Sequence, residues 1–383
     1  MKILIAPDKF KGTLSAPEVA SAIARAIRKI YPKAEIIEQP MADGGEGSLD
    51  LLARTLPAAQ RHRLRVTGPL RKPVLAEYLL ANGKAYIEAA TACGLKHVPV
   101  PRRNPGETTT IGVGQLIDDA IARGAKTIYL FLGGSATNDA GAGMAAALGY
   151  RFFSDRPDDF VPTGSSLRYV RRIDDGEVPE EQVNVRFVAV CDVDNPLFGP
   201  NGATYTYAPQ KGAKAADLPA LEGSMVHFAG QLKKWLKKNV VELPGSGAAG
   251  GLAAGAVAFL NAEIRPGTEV LMEAVGFHTL LKNVDLVITG EGKIDAQTLH
   301  GKVVSGVAKH AKAAGVPKVI ALCGRSEIKQ EDTTRLGVDG VYALLDLSSL
   351  TLEDAMYRTA ESLERLVEVR LGAKKKRPKD LNP

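Results

Sequence analysis

Apolar positions in this chain repeat a unit of buried strand, polar loop and amphipathic helix. Ile3-Leu4-Ile5-Ala6 is an unbroken apolar run, as expected of a strand covered on both faces. Pro7 to Thr13 is a polar loop. Ser15 and Glu18 then form a capping box, and Val19, Ala20, Ile23, Ile27 and Ile30 share one helical face. Pro32 stops that helix. The unit returns after Thr108–Thr110, which open a helix with Val113, Leu116, Ile117 and Ile121 on one side. Thr127 to Leu132 reads as a strand, Gly133 to Asp139 as its loop, and Ala140 to Leu148 as a small-residue helix. Further strands are predicted at Asp285–Thr289, Lys318–Leu322 and Gly340–Leu345. Helices are predicted around Val303–Ala314 and in a last segment reaching roughly Arg370. Alternation of this kind implies a mostly parallel sheet with helices on both faces.

Two stretches break the rhythm. From about Leu64 to Ala90 the helical period fails. Glu77-Tyr78-Leu79-Leu80, the turn Asn82-Gly83 and Ala85-Tyr86-Ile87-Glu88 read there as an antiparallel hairpin. Residues 150–280 mix hairpin-like and loop segments. The expected fold is therefore α/β, with a Rossmann-like parallel-sheet domain and a second α/β domain inserted into it. The first is assigned residues 1–63, 105–149 and 283–371, and the insert 64–104 and 150–282. Residues 372–383 form a basic tail expected to be disordered. No tandem repeat is visible.

The chain's 383 residues suit two domains. Its net charge of +6 is concentrated in that tail, where Lys374, Lys375, Lys376, Arg377 and Lys379 face only Asp380. The body is close to neutral and aromatics are 5%, which argues against a nucleic-acid partner. Cys93, Cys191 and Cys323 are odd in number and far apart, so neither a disulfide framework nor a Cys-x-x-Cys metal site is expected. Free thiols and the lack of a signal-peptide or membrane-length apolar run point to a cytoplasmic protein with no membrane partner. A homo-oligomer is left open.

The chemistry concentrates in the loops that follow strands, where open α/β sheets bind ligands. These loops are Pro7–Gly12, Met41–Gly47, Gly133–Asp139, Cys191–Pro196 and Gly290–Asp295. Glycines expose backbone N–H groups that can wrap an anion. Carboxylates suit Mg²⁺, and lysines offset phosphoryl charge. Together they describe phosphoryl transfer better than hydride or acyl transfer. The structural alternatives are capped turns, an Asx-turn ended by Pro196, and solvated lysines in the case of Lys9, Lys11 and Lys211.

Gly245-Ser246-Gly247-Ala248-Ala249-Gly250 matches G-x-G-x-x-G by letter. A dinucleotide site would need a preceding strand, and the candidate Asn239–Leu243 is short and ends in Pro244. A turn facing phosphate or substrate fits better, and close helix packing is the structural alternative. A nicotinamide-dependent oxidoreductase and a non-catalytic nucleotide- or sugar-binding module are the competing classes. No Walker A, protein-kinase, G-x-S-x-G or H-E-x-x-H pattern occurs.

Taken in order, these stretches resemble the bacterial glycerate kinase family. The matching segments are Ala6–Gly12, Met41–Gly47, Arg103-Asn104-Pro105 with Thr108–Thr110, Gly133–Gly143, Cys191–Gly202, Pro209–Gly212, Gly245–Gly251 and Thr289–Lys302. The resemblance runs from Met1 to about Gly324 and implies an active site in a cleft between the domains. It also implies ATP with Mg²⁺ as cofactors and D-glycerate as substrate. The 2-phosphate is the product implied, with the 3-phosphate as the alternative. On that basis Asp192 or Asp43 would deprotonate the glycerate hydroxyl. Asp194 and Glu291 would ligate Mg²⁺, and Lys9, Lys11 and Lys211 would offset phosphoryl charge. Gly133, Gly134, Ser135, Thr137 and Asn138 would cradle ATP phosphates or the glycerate carboxylate. Gly44, Gly45, Gly247, Gly250, Gly290 and Gly292 would supply further cofactor contacts.

Overall fold

The structure is a computed structural model. It describes residues 1–45, 47–155, 158, 160–300, 302–347 and 352–372. The basic stretch from Lys374 lies outside the described residues. The chain forms two compact units, Met1–Asp43 with the chain from Thr268 onward, and Gly44–Gly267.

The first unit is built on a five-stranded parallel sheet. Its order is Gly340–Ala343, Lys318–Ser326, Leu286–Ile294, Lys2–Pro7, Glu35–Glu38. Side chains alternate across a strand, and here both faces are buried. Ile3 and Ile5 face a layer formed by helices Ala16–Ile30 and Thr359–Gly372, through Val19, Ile23, Leu363 and Leu366. Leu4 and Ala6 face the opposite layer, where Val303, Val304 and Val307 of helix Val303–Ala313 pack. The capping box at Ser15 is present, with the Ser15 N–H donating to Glu18 at 2.8 Å.

The second unit is a continuous insertion with a six-stranded mixed sheet. The order is Glu263–Arg265, Arg186–Val190, Thr127–Phe131, Lys84–Glu88, Pro73–Ala81, Gln60–Thr67. The first four strands pair in parallel and the last two add antiparallel. The predicted hairpin is there, and Asn82 and Gly83 both have positive φ (50° and 71°), as a tight two-residue turn requires. Phe152, Phe228 and Phe259 pack ring against ring in the core.

The units divide the chain differently from the sequence expectation. Residues 44–63 and 105–149 belong with the insertion, and the segment from Thr268 to 282 belongs with the first unit. Strand Thr127–Phe131 is the deciding element, since it pairs with Lys84–Glu88 and Arg186–Val190. Periodicity identifies a buried parallel strand but does not say which of two parallel ladders it joins. A second correction concerns Gly290–Asp295. It is not a loop up to Ile294, because strand Leu286–Ile294 continues through it, paired with Lys318–Ser326. The candidate segment Asn239–Leu243, short and ended by Pro244, is not a strand.

Backbone proximity makes Gly250 a sensitive point. It has φ +71°, and a Cβ there would lie 2.0 Å from the Thr137 carbonyl oxygen. Gly250→Ala is expected to cost about 3 kcal/mol or more of unfolding free energy. Urea denaturation measures this, and a loss below about 0.5 kcal/mol, the range of ordinary surface changes, would contradict the packing.

Candidate active site

The first unit gathers charge at the carboxyl end of its sheet. Residues Asp8, Asp43 and Glu291 line one cavity of about 430 Å³ with Lys9, Lys11 and Lys302. Asp8 directly follows the strand Lys2–Pro7, and its N–H donates to the Gly290 carbonyl at 2.8 Å. Asp8 is 7% exposed. Burial, and then the negative charges of Asp43 and Glu291, push its carboxyl up to about 7, against the opposing hydrogen bond from Lys9 N–H. Glu291 is also held above the usual carboxylate range, chiefly by burial. A hydrogen bond donated by the Thr298 hydroxyl works against that shift, as does the Lys302 charge. Three carboxylates held close in a partly desolvated cavity repel one another unless protons or cations join them.

The glycines here set backbone spacing. A Cβ on Gly290 would lie 2.3 Å from Leu322 O in the neighbouring strand. A Cβ on Gly292 would lie 3.1 Å from Lys11 N, so Gly292 keeps the Lys11 loop close to the strand. Lys293, on the same strand, is used in ion pairs with Asp295 and Glu327.

The insertion carries a second cluster, built on the loop Gly133–Asp139 after strand Thr127–Phe131. Asp139 is fully buried. Its carboxylate accepts hydrogen bonds from Thr110 N–H (2.8 Å), Thr110 Oγ1 (2.9 Å), Gly141 N–H (3.2 Å) and Gly143 N–H (3.3 Å). It sits against the first turns of helices Ile111–Ala122 and Ala142–Ala147, where unpaired N–H groups favour an anion. Burial raises its pKa and these bonds lower it. Lys211, 3% exposed, donates to Ser135 Oγ at 3.0 Å and to Thr137 O at 2.8 Å. Asn138 donates to Thr204 Oγ1, while its own Oδ1 is a buried acceptor without a partner in the described protein.

The remaining predicted residues distribute as follows. The loop around Asp43 is divided between the units, with Gly44 and Gly45 in the insertion. Gly44 lies against Gly267, Val190 and Phe131, and Gly45 against Gly133, all at the carboxyl ends of the parallel strands. Asp192 is exposed, and its Oδ1 accepts the Gly267 N–H at 2.8 Å. Asp194 is exposed two residues on. Gly247 N–H donates to Asn195 O at 2.9 Å, and Gly250 abuts Thr137, so both glycines serve close packing of the helix start. Asp194 and Glu291 fall in different units. Among the described residues no group of three or more His, Cys, Asp or Glu side chains is arranged to hold a metal ion by itself. Sequence reasoning gave no role to Asp8, Asp139 or Lys302. The available signal was position, since Asp8 follows the apolar run Ile3–Ala6 and Pro7, and Asp139 closes the loop Gly133–Asp139.

A model of the glycerate kinase family matches residues 3–371. The chain belongs to the glycerate kinase family. Among similar proteins, a glycerate kinase of Halalkalibacterium halodurans is 44% identical over 365 residues, 95% of each chain. The glycerate 2-kinase of Escherichia coli is 42% identical over 357 residues, 93% of each chain. A crystal structure assigned as glycerate kinase 2 from Salmonella typhimurium LT2 superposes with a TM-score of 0.83 at 38% identity, covering 99% of this chain and 100% of that one. Family membership makes the chain a phosphotransferase that uses ATP. Among the described residues no helix is long and apolar enough to cross a membrane.

The raised Asp8 carboxyl generates a stability prediction for the ligand-free protein. Its pKa of about 7 in the fold exceeds the ordinary value of 3.8, so its stabilising protonated form is complete below about pH 4 and is lost as pH rises through 7. Asp8→Asn is therefore expected to raise the melting temperature above wild type at pH 8 and to leave it nearly unchanged at pH 4. Thermal melts at both values measure this, and equal shifts at the two would contradict it.

Proposed function

We propose that this member of the glycerate kinase family transfers the γ-phosphoryl group of Mg²⁺-ATP to the 2-hydroxyl of D-glycerate, giving 2-phosphoglycerate. The observation that carries the chemistry is the cavity in which Asp8, Asp43 and Glu291 stand with Lys9, Lys11 and Lys302. Hard oxygen donors beside cations are what Mg²⁺ with a polyphosphate requires. The choice of the 2-hydroxyl rests on the likeness to the Escherichia coli glycerate 2-kinase.

The donor set fits the ion. Asp8 and Glu291 are buried carboxyls whose pKa values are raised without a cation, and a cation would relieve that repulsion. Mg²⁺ bound there would neutralise charge on the transferred group. Lys9, Lys11 and Lys302 hold phosphate oxygens as point charges. Asp43 takes the proton of the acceptor hydroxyl. It is preferred to Asp192 because it lines the charged cavity, whereas Asp192 is an exposed residue of the other unit. In the insertion, the exposed Gly133-Gly134 backbone receives the carboxylate end of glycerate. The three unpaired cysteines support a reducing, cytoplasmic setting. The nicotinamide reading is not favoured, because no strand precedes Gly245 as that fingerprint needs.

Two measurements test this. Phosphorus NMR of the product from Mg²⁺-ATP and D-glycerate should show the 2-phosphate; a 3-phosphate would overturn the regiochemistry, and no glycerate-dependent ADP release would overturn the substrate. Asp43→Asn is expected to lower kcat by about 10²–10⁴-fold, while Asp192→Asn lowers it by less than about tenfold. The reverse ranking would move the base to Asp192.

A further inference from the structure

A lysine in a kinase is ordinarily read as a partner for phosphate, and the sequence reading gave Lys211 that task. Its surroundings argue otherwise. The side chain is buried, and its ammonium is committed to two groups of one loop, Ser135 Oγ and Thr137 O. The backbone that delivers it is rigid. Lys211 ends the short helix Pro209–Lys211, and Gly212 follows at φ +99° with no room for a Cβ, which would lie 2.3 Å from Arg103 O. The charged neighbour is Asp139, whose carboxylate is occupied by four N–H and O–H donors. Cys93 also faces the ammonium, and burial pushes its thiol up to about 12, so it stays neutral.

The loop that Lys211 grips is stitched down at its other edge. Leu95 N–H donates to Gly134 O at 3.0 Å and Ala136 N–H donates to Cys93 O at 2.8 Å. Among the described residues the N–H groups of Gly133 and Gly134 donate to no protein group. Both residues are exposed, and Gly134 has φ +78°, the left-handed conformation that turns successive N–H groups to one side. The loop thus presents free N–H donors at its surface and a buried positive charge beneath.

We infer that Lys211 is a positioning residue, which sets the Gly133-Gly134 N–H groups and their local potential for the carboxylate of the acceptor, and does not touch the transferred phosphoryl group. The inference rests on the reading that this loop takes the glycerate carboxylate. It separates two kinetic outcomes. A residue that orders a substrate-carboxylate site acts on the substrate equally in ground and transition states, so its loss raises KM. A residue on the moving phosphoryl group acts mainly on kcat.

The test is steady-state kinetics on Lys211→Met, Lys211→Arg and Gly134→Ala. Lys211→Met is expected to raise KM for D-glycerate about tenfold or more, with kcat within about threefold of wild type. Lys211→Arg, which keeps the charge, should recover part of that loss. A kcat loss of about 100-fold at unchanged KM would overturn the inference and return Lys211 to phosphoryl contact. Should Lys211→Met fail to fold, Ser135→Ala removes one anchor of the ammonium and is expected to raise KM by about threefold to tenfold. An unchanged KM in Ser135→Ala would count against the inference. Gly134→Ala separates the two levels. If it raises KM and Lys211→Met does not, the positioning role fails alone; if neither does, the loop is not the carboxylate site. A pH profile adds a readout that lost stability would not imitate. Burial lowers the Lys211 pKa to about 8, so wild-type KM for glycerate should rise as pH passes 8, and in Lys211→Arg it should stay flat. A wild-type KM that is flat to pH 9.5 would contradict the inference.

Discussion

Burial of charge without water is the constraint on which both halves of this protein depend. Asp139 meets it alone, with four hydrogen bonds and the first turns of two helices around one carboxylate. Removing a partner from a buried charge costs far more than the average hydrogen bond is worth, so the segments Thr108–Thr110 and Gly133–Gly143 are fixed relative to each other. That fixed frame lets Lys211 be buried a short distance away and lets the Gly133-Gly134 backbone stay open to a ligand.

The first unit resolves the same constraint the other way. Asp8, Asp43 and Glu291 share a cavity in which the two buried carboxyls, Asp8 and Glu291, are displaced from their ordinary titration ranges. In the insertion the carboxylate is satisfied by the protein itself. In the first unit the carboxylates crowd one another in a cavity they share with three lysines, and the proposed function gives a cation the task of relieving that repulsion. The strands make such crowding feasible. Leu286–Ile294 runs on through Gly290 and Gly292, and each glycine lets neighbouring backbone approach more closely than a side chain would allow.

Much of this was legible in the sequence because it rests on local rules. Apolar runs and capping residues located the strands and helices, and Asn82-Gly83 marked the hairpin. The order of the glycine- and acid-rich segments pointed to the family. What was hidden depends on contacts distant in sequence. Strand Thr127–Phe131 looks the same whichever parallel sheet it joins, so its pattern does not decide which unit takes residues 105–149. Gly290–Asp295 has a loop's composition, yet pairing with Lys318–Ser326 keeps it in a strand up to Ile294. Lys211 and Lys9 are both lysines beside glycine-rich loops, and only the fold shows one buried against Ser135 and Thr137 and the other lining a cavity. The letters of Gly245–Gly250 suggest a phosphate loop, and the geometry makes those glycines packing surfaces for Asn195, Pro196 and Thr137.

On the proposed function, the cavity lined by Asp8, Asp43 and Glu291 takes ATP as its Mg²⁺ complex. Calorimetric titration of the folded, metal-free protein with ATP, with and without Mg²⁺, tests it most directly. Mg²⁺-ATP is expected to bind at least about tenfold tighter than free ATP, because three carboxylates in one cavity repel a bare polyphosphate. Equal affinity with and without Mg²⁺ would contradict it and would show that the cavity holds its nucleotide through the lysines alone.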